Sequence, residues 1–454
     1  MIRSLVLPVI LLWPLPLAAA PSKLATPRSV PVTDVAWDIV EGLTTEVGPR
    51  LAGTAAEARA RDWAVVKLKS LGFSNVHIET YDMPVWVRGA ETAEVVAPYP
   101  QKLAVTALGN SGSTGPDGIS LPIVPFMTLA ALKAADPAAV RGKIVYLSHQ
   151  MKAAQDGSGY GPFGNARRQG PSVASKLGAA AIIVRSIGTD HSRGPHTGVQ
   201  TWQPGATPIP AGAISVNDAD NLERMLARGK EITLKLVLTP QQTGTHQSGN
   251  VIAEVPGTDA SAGLVVVGGH LDSWDLGTGA IDDGAGVAIT AAAAKAVLDS
   301  GKKPRRTIRL VWWGAEEVGG FGGAAYFKAH KAEPHAFAAE SDFGADRVWR
   351  LDVNFPEDVK LLGPALAEQE AMLGITLGKE RAGGGTDVEG LVASGVPVAD
   401  LQQDGTRYFD WHHTPEDTLD KIDRAQFQQN VKAWTILLDL VANSPENLMA
   451  GPRK

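Results

Sequence analysis

Residues 264–286 read LVVVGGHLDSWDLGTGAIDDGAG. Four apolar residues, Leu264 to Val267, run without polar interruption into Gly268-Gly269-His270-Leu271-Asp272. A continuous apolar run of this kind suits a strand buried on both faces of a mainly parallel sheet. An imidazole and a carboxylate therefore stand just past a strand end, where open α/β sheets place their sites. The glycine-rich turn that follows carries Asp282-Asp283 and opens a helix over residues 284–298. Two adjacent carboxylates suit a helix cap, yet like charges side by side need compensation.

Working outward, the same pattern recurs. A strand over residues 307–313 ends in Gly314-Ala315-Glu316-Glu317, and a helix is expected over 320–331. A strand over 337–340 ends in Glu340-Ser341-Asp342, and His412-His413 lie in a loop before a last helix over 424–441. Four such clusters at strand ends converge on one side of a sheet. Carboxylates mixed with imidazoles suit Zn²⁺ or a similar divalent ion, and a carboxylate shared by two ions explains why so many acids can gather.

Upstream, helices are expected over 34–46 and 55–71 and a strand over 76–81. Between 98 and 242 the texture changes to short β-like runs, at 103–108, 143–148, 181–185 and 231–238, separated by Gly/Pro-rich segments. The segments 156–170 and 188–210 read as long loops. The fold class is thus α/β, a mainly parallel central sheet with helices on both faces plus an inserted β-rich domain. The expected boundaries are 1–20 for a leader, 32–97 for the first part of the catalytic domain, 98–245 for the insertion and 246–445 for the main part.

The chain has 454 residues, room for two or three domains at roughly 150 each. With 44% hydrophobic and 20% charged residues it is a globular composition, which excludes disorder over the whole length. A net charge of −6, with no stretch that concentrates Lys and Arg among aromatics, speaks against nucleic acid as partner. The leader has Arg3 as its sole charge, an apolar run from Leu5 to Leu17 and then Ala18-Ala19-Ala20, the pattern of a secretory signal. Broken by Pro8, Pro14 and Pro16, that run is shorter than the roughly 20 residues that span a bilayer. A secreted or periplasmic protein with no membrane anchor after cleavage is expected. Pro21 leaves the cleavage position open. The absence of cysteine excludes disulfides, thiolate metal ligands and cysteine nucleophiles. Neither G-x-S-x-G nor H-E-x-x-H occurs.

The order and local sequence of the clusters resemble the zinc metallo-exopeptidases built on the co-catalytic (Vibrio-type) aminopeptidase fold, with its glutamate carboxypeptidase branch nearest. The match runs through His270-Leu271-Asp272-Ser273-Trp274-Asp275, Gly279 to Gly284, Glu316-Glu317, Glu340-Ser341-Asp342, Gly385-Thr386-Asp387, and His412-His413 before Asp417-Thr418. Residues 141–145 and 176–180 resemble the family's inserted protease-associated domain. The resemblance implies two Zn²⁺ per subunit. Asp282 would bridge them, with His270 and Asp342 completing one ion and Glu317 and His413 the other, and His413 is preferred over His412. Glu316 would be the general base. Asp272 would fix the His270 tautomer through the second ring nitrogen, and Asp283 would support the turn. Thr386, Asp387 and Tyr408 resemble substrate-side positions. The implied reaction is hydrolysis of dipeptides or short peptides without a covalent intermediate, with a homodimer as the family's assembly. Aminopeptidase or carboxypeptidase direction stays open. A non-catalytic binding protein on the same fold, or a single-zinc cyclase, would be expected to lack ligands or the base; here every one of those positions is occupied.

Overall fold

The apolar run Leu264 to Val267 belongs to a central strand. In the computed structural model, which describes residues 34–449, Leu264–His270 lies between Ile308–Trp313 and His335–Glu340 and is parallel to both. The expected leader, residues 1–20, lies outside the described residues. The whole sheet has eight strands, in the order Ser74–Val87, Gln241–Val255, Ile308–Trp313, Leu264–His270, His335–Glu340, Val398–Gln403, Val348–Asn354 and Thr376–Leu377. Its middle four strands are parallel and its flanks include antiparallel pairs. The carboxyl ends of the parallel four therefore open on one edge.

Both faces are covered, as the unbroken apolar strands require. Val265, Val267, Leu310 and Trp312 pack in one core with the helices Val35–Gly42, Ala285–Asp299 and Arg424–Asn443. Val266, Val311 and Trp313 face the other way, toward Tyr326 and Leu391 on the helices Phe321–His330 and Glu389–Ala393. The helix Ala285–Asp299 is rich in alanine and nearly all buried, so it sits close against the sheet. A Cβ at Gly286, in its first turn, would come within 1.8 Å of the Ser341 carbonyl oxygen. Only glycine lets that helix begin so near the strand end carrying Asp342.

A second eight-stranded sheet holds Gln101–Leu103, Glu91–Ala97, Thr233–Leu238, Ile119–Phe126, Ile144–Leu147, Ala181–Arg185, Ala211–Ile214 and Val105–Ala107, in that order. Glu91–Ala97 pairs here, although the sequence reading placed it in the first part of the catalytic domain. The strand Gln241–Val255, split by that reading, pairs along its length with Ser74–Val87 in the first sheet.

The segment expected as a loop over 156–170 is largely helix, Tyr160–Lys176. Its Gly164, Gly170 and Pro171 argue against a helix by propensity. Tertiary packing decides otherwise: Gly164, Ala166 and Gly170 are buried, and a Cβ at Gly170 would already touch Leu147 at 3.0 Å. With this helix and Val216–Leu226 the second sheet is α/β rather than merely β-rich. Among the described residues no helix is long and apolar enough to cross a membrane.

Candidate metal centre

The turn after Leu264–His270 is built around two carboxylates with different tasks. Asp283, fully buried, accepts from the His270 backbone N–H (3.1 Å) and the Gly286 N–H (3.0 Å), tying the strand end to the helix start. A Cβ at Gly269 would strike Asp283 Oδ2 at 2.2 Å, so this glycine makes room for that carboxylate. Asp282, joined to Asp283 by a cis peptide bond, points the other way, between the imidazoles.

His270 Nε2 lies 3.3 Å from Asp282 Oδ1 and 3.5 Å from Asp342 Oδ1. On the opposite side, His413 Nε2 lies 3.3 Å from Asp282 Oδ2 and 2.9 Å from Glu317 Oε2. His412 Nε2 is 3.6 Å from Asp282 Oδ2, and its ring stacks on His413 at 3.5 Å between centroids. Two groups of potential ligand atoms thus share Asp282: His270, Asp282 and Asp342 form one, and Asp282, His412 and His413 the other. Glu317 closes the second. Asp282 Oδ2, Glu317 Oε1 and Asp342 Oδ1 are buried and accept no hydrogen bond. Buried anionic oxygens without donors are costly, and hard oxygens facing imidazole nitrogens suit a divalent cation. The residues present fit two such ions.

The electrostatics agree. Burial raises the Glu316 carboxyl well above its usual range, helped by Asp342, Glu317 and Asp387 and opposed by His270. Burial alone would lower His270, but Asp342, Asp272 and Asp282 outweigh it and hold the imidazole well above its usual range. His413 is raised likewise by Glu317 and Asp282, against burial. Burial lowers His412, and the His413 charge adds to that effect. Of its three imidazoles, His270 and His413 are held in the charged form by the surrounding carboxylates, and His412 is not.

Asp272 acts differently from the expectation. The backbone carbonyl of Asp272 is the near partner of His270 Nδ1 (2.9 Å), whereas its carboxylate oxygen is 3.6 Å away. That carboxylate accepts instead from the Glu316 backbone N–H at 3.1 Å, fixing the segment that carries the candidate base. The main chain already supplies an acceptor for the imidazole, which frees the side chain. Ala315, just before Glu316, and His413 both adopt positive φ (59° and 63°), rare for residues with a Cβ and concentrated at functional sites.

A cavity of about 490 Å³ opens over the cluster. Asp282, Glu316, Glu317 and Asp342 form its floor, with Thr386 and Tyr408 beside them. Tyr160, Arg167, Arg168, Val199 and Thr201 of the inserted segment form the facing wall. Asp387, expected on the substrate side, is not among the lining residues. It is buried behind the floor, accepting from the Gly323 N–H (3.0 Å) and donating its own N–H to Glu340 Oε2 (2.9 Å). Its place between a glycine turn and a strand end makes it a backbone brace.

Several residues that hold the site were not singled out from the sequence. Arg50, fully buried, donates to the carbonyls of Leu271, Thr278 and Gly279, pinning both sides of the loop before Asp282. Asp417 accepts from the N–H groups of Ala280 and Ile281 at 2.7 Å each, and burial pushes its carboxyl up to about 7. Asp275 takes a two-pronged contact from Arg88, which also reaches Glu91, so the motif after His270 anchors the inserted sheet as well. His413 Nδ1 meets the Thr197 carbonyl at 3.2 Å, and the Thr197 N–H donates to the His413 carbonyl at 3.0 Å. Asp417 stands in the motif after His412-His413, but nothing local signals its distant partners or those of Arg50.

A profile of peptidase family M28 matches residues 250–437. The chain is 35% identical to carboxypeptidase Q of Bos taurus, over 89% of this chain and 85% of that protein. It is 25% identical to aminopeptidase YwaD of Bacillus subtilis (strain 168), over 87% of this chain and 81% of the other. Among solved structures, a peptidase M28 precursor from Shewanella amazonensis SB2B superposes with a TM-score of 0.90 at 47% identity, covering 93% of this chain and 96% of its own. BSAP, a zinc aminopeptidase from Bacillus subtilis, shares the fold at a TM-score of 0.66 and 20% identity, covering 94% of this chain and 100% of its own.

Proposed function

The chain belongs to peptidase family M28 and is a metallopeptidase, and we propose that it is an exported two-zinc exopeptidase that hydrolyses dipeptides or short peptides in the manner of carboxypeptidase Q. The observation that carries this reading is Asp282 held between His270 and Asp342 on one side and His413 and Glu317 on the other, with Glu316 beside it on the cavity floor. The apolar leader supports export.

His270, Asp282 and Asp342 would hold one ion, and Asp282, Glu317 and His413 the other. Two zinc ions, when bound, supply Lewis acidity that acidifies water and polarises the scissile carbonyl. Glu316 stands next to a ligand without being one, and its carboxylate takes the proton of the attacking water and returns it to the leaving amine. Asp272 keeps that carboxylate aimed by holding the Glu316 backbone. Asp283 and the Asp272 carbonyl orient His270, and the Thr197 carbonyl orients His413, so each imidazole presents Nε2 to the floor. Tyr160, Arg167, Arg168, Val199 and Thr201 of the inserted segment line the same cavity as the candidate ligands.

The test is hydrolysis by the zinc-loaded protein of a free dipeptide beside its N-acetylated and C-amidated forms. Cleavage of the free dipeptide is expected, together with two zinc ions per chain by elemental analysis. Intact substrates throughout, with both ions bound, would overturn the reading.

A further inference from the structure

The cavity has an acidic floor and a basic wall, and the wall's charges are unanswered. Arg167 is only 3% exposed. One of its terminal nitrogens donates to the Thr197 carbonyl (3.2 Å) and the other to the Tyr160 hydroxyl (2.7 Å), while its Nε has no partner. Among the described residues no carboxylate pairs with it. The neighbouring Arg168 lines the same cavity, is half-buried, and makes one long hydrogen bond, 3.3 Å to the Gly161 carbonyl, again with no carboxylate partner. Both guanidinium groups lie over the Tyr160 ring, at 5.6 and 5.9 Å from its centroid. Elsewhere the buried arginines are neutralised or spent: Arg88 pairs with Asp275 and Glu91, Arg185 with Asp220 and Glu223, and Arg50 is used up on backbone carbonyls.

Two adjacent guanidinium groups in a half-enclosed cavity repel one another and lose hydration, so the arrangement favours an anion between or beside them. The floor cannot supply it. Every acid that lines the cavity is Asp282, Glu316, Glu317 or Asp342, the groups already assigned to metal or proton transfer. By the same token the lining offers no spare carboxylate to receive a peptide's free amine away from the floor. What the wall can recognise is therefore the other end of the peptide.

Resting on the function proposed above, we propose that Arg167 and Arg168 bind the free α-carboxylate of the substrate, so that the protein works as a carboxypeptidase or dipeptidase rather than as an aminopeptidase on longer chains. Arg168 makes the adaptable contact. Arg167 is braced by Tyr160 and Thr197 and approaches His413 Nδ1 at 3.5 Å, so its removal would disturb the metal loop as well. Arg168 is the cleaner probe.

The experiment compares zinc-loaded wild type with Arg168→Ala and Arg168→Lys on Ala-Ala, Ala-Ala amide and Ala-Glu α-amide. In wild type, amidation is expected to raise KM by about 10- to 100-fold, the range for losing a charge-assisted contact. Arg168→Ala should raise KM for Ala-Ala by a similar factor with a much smaller change in kcat. The gap between free and amidated substrates should then shrink below about threefold, and Arg168→Lys should restore part of it. An unchanged gap in Arg168→Ala, or equal loss on all three substrates, would overturn the proposal. Arg168-dependent cleavage of Ala-Glu α-amide as good as that of Ala-Ala would also overturn it, showing a site for a side-chain carboxylate. If wild type cleaves none of the three, the peptidase reading falls, and calorimetric binding of L-alanine against alaninamide still decides the anchor. Weakening by Arg168→Ala confined to the free acid supports it, and equal affinity for acid and amide refutes it.

Discussion

His196 Nδ1 lies 2.7 Å from the main-chain carbonyl of His412, and its Nε2 lies 2.8 Å from Asp190 Oδ1. A buried histidine of the inserted segment thus grips the backbone of the loop that presents His413. The two neighbouring Thr197 contacts make the grip continuous. Supporting groups of this kind commonly change metal affinity by 10- to 100-fold when removed. His196→Ala is expected to lower zinc affinity within that range at the Glu317–His413 side while His270–Asp342 retains its ion. Competition with a chromophoric chelator checks this, and two unaltered affinities would show that the insertion plays no part in the centre.

Glu316→Gln keeps the shape of the floor and removes the proton acceptor. Turnover should fall by at least 10²- to 10⁴-fold, the usual contribution of a positioned acid–base group. Zinc content should stay at the wild-type level because Glu316 is outside the proposed ligand set. Residual kcat near wild type would assign the proton transfer elsewhere.

Chelation should destabilise the fold. Asp282, Glu317 and Asp342 each carry a buried oxygen that accepts no hydrogen bond, and any ion bound to the native state adds RT ln(1 + [L]/Kd), about 4 kcal/mol at a thousandfold excess over Kd. The apparent Tm should drop by several degrees in EDTA and recover with zinc. Coincident melting curves in both conditions would argue against a resident metal.

Arg50→Lys tests the brace beneath the Asp282 loop. A lysine can reach one carbonyl where the guanidinium serves three, leaving buried carbonyls of the 271–279 segment unpaired at about 1–3 kcal/mol each. The expected loss is about 3 kcal/mol or more by denaturant unfolding, together with weaker metal binding.

Glu370 provides a pH signature remote from the centre. It is fully buried with both carboxylate oxygens unpartnered, and burial alone pushes its carboxyl up to about 9 from 4.5. The folded state therefore keeps a proton that the unfolded state releases above about 4.5. Stability should fall as pH rises from 4.5 toward 9, by about 3 kcal/mol at pH 7 on this group's account. Glu370→Gln should remove that slope relative to wild type in urea titrations at pH 5, 7 and 9. Parallel pH profiles of the two proteins would refute it.

How much of this could be read from sequence follows from distance along the chain. The sheet was legible because Leu264 to Val267 and Ile308 to Trp313 carry the double-faced burial of a parallel core in their own composition. His270, Asp282, Glu316, Glu317 and Asp342 stand out in the sequence beside strand ends or a glycine turn, whereas the preference for His413 over His412 comes only from the family resemblance. The helix Tyr160–Lys176 was hidden because its glycines and proline oppose the helix that packing imposes. The roles of Arg50, His196 and Thr197 were hidden because their partners lie some two hundred residues away. Asp272 was misjudged because sequence shows which residue is near and not which of its oxygens faces the ring.

Arg50 and Gly279 stand 229 residues apart, so their contact closes a long loop at an entropic cost that the native packing offsets. Of the proposed ligands, Glu317, Asp342 and His413 follow His270 and Asp282 in the chain. With the proposed ligands, a complete centre therefore requires both the chain through His413 and the docking of the 412–413 loop against residues 196 and 197.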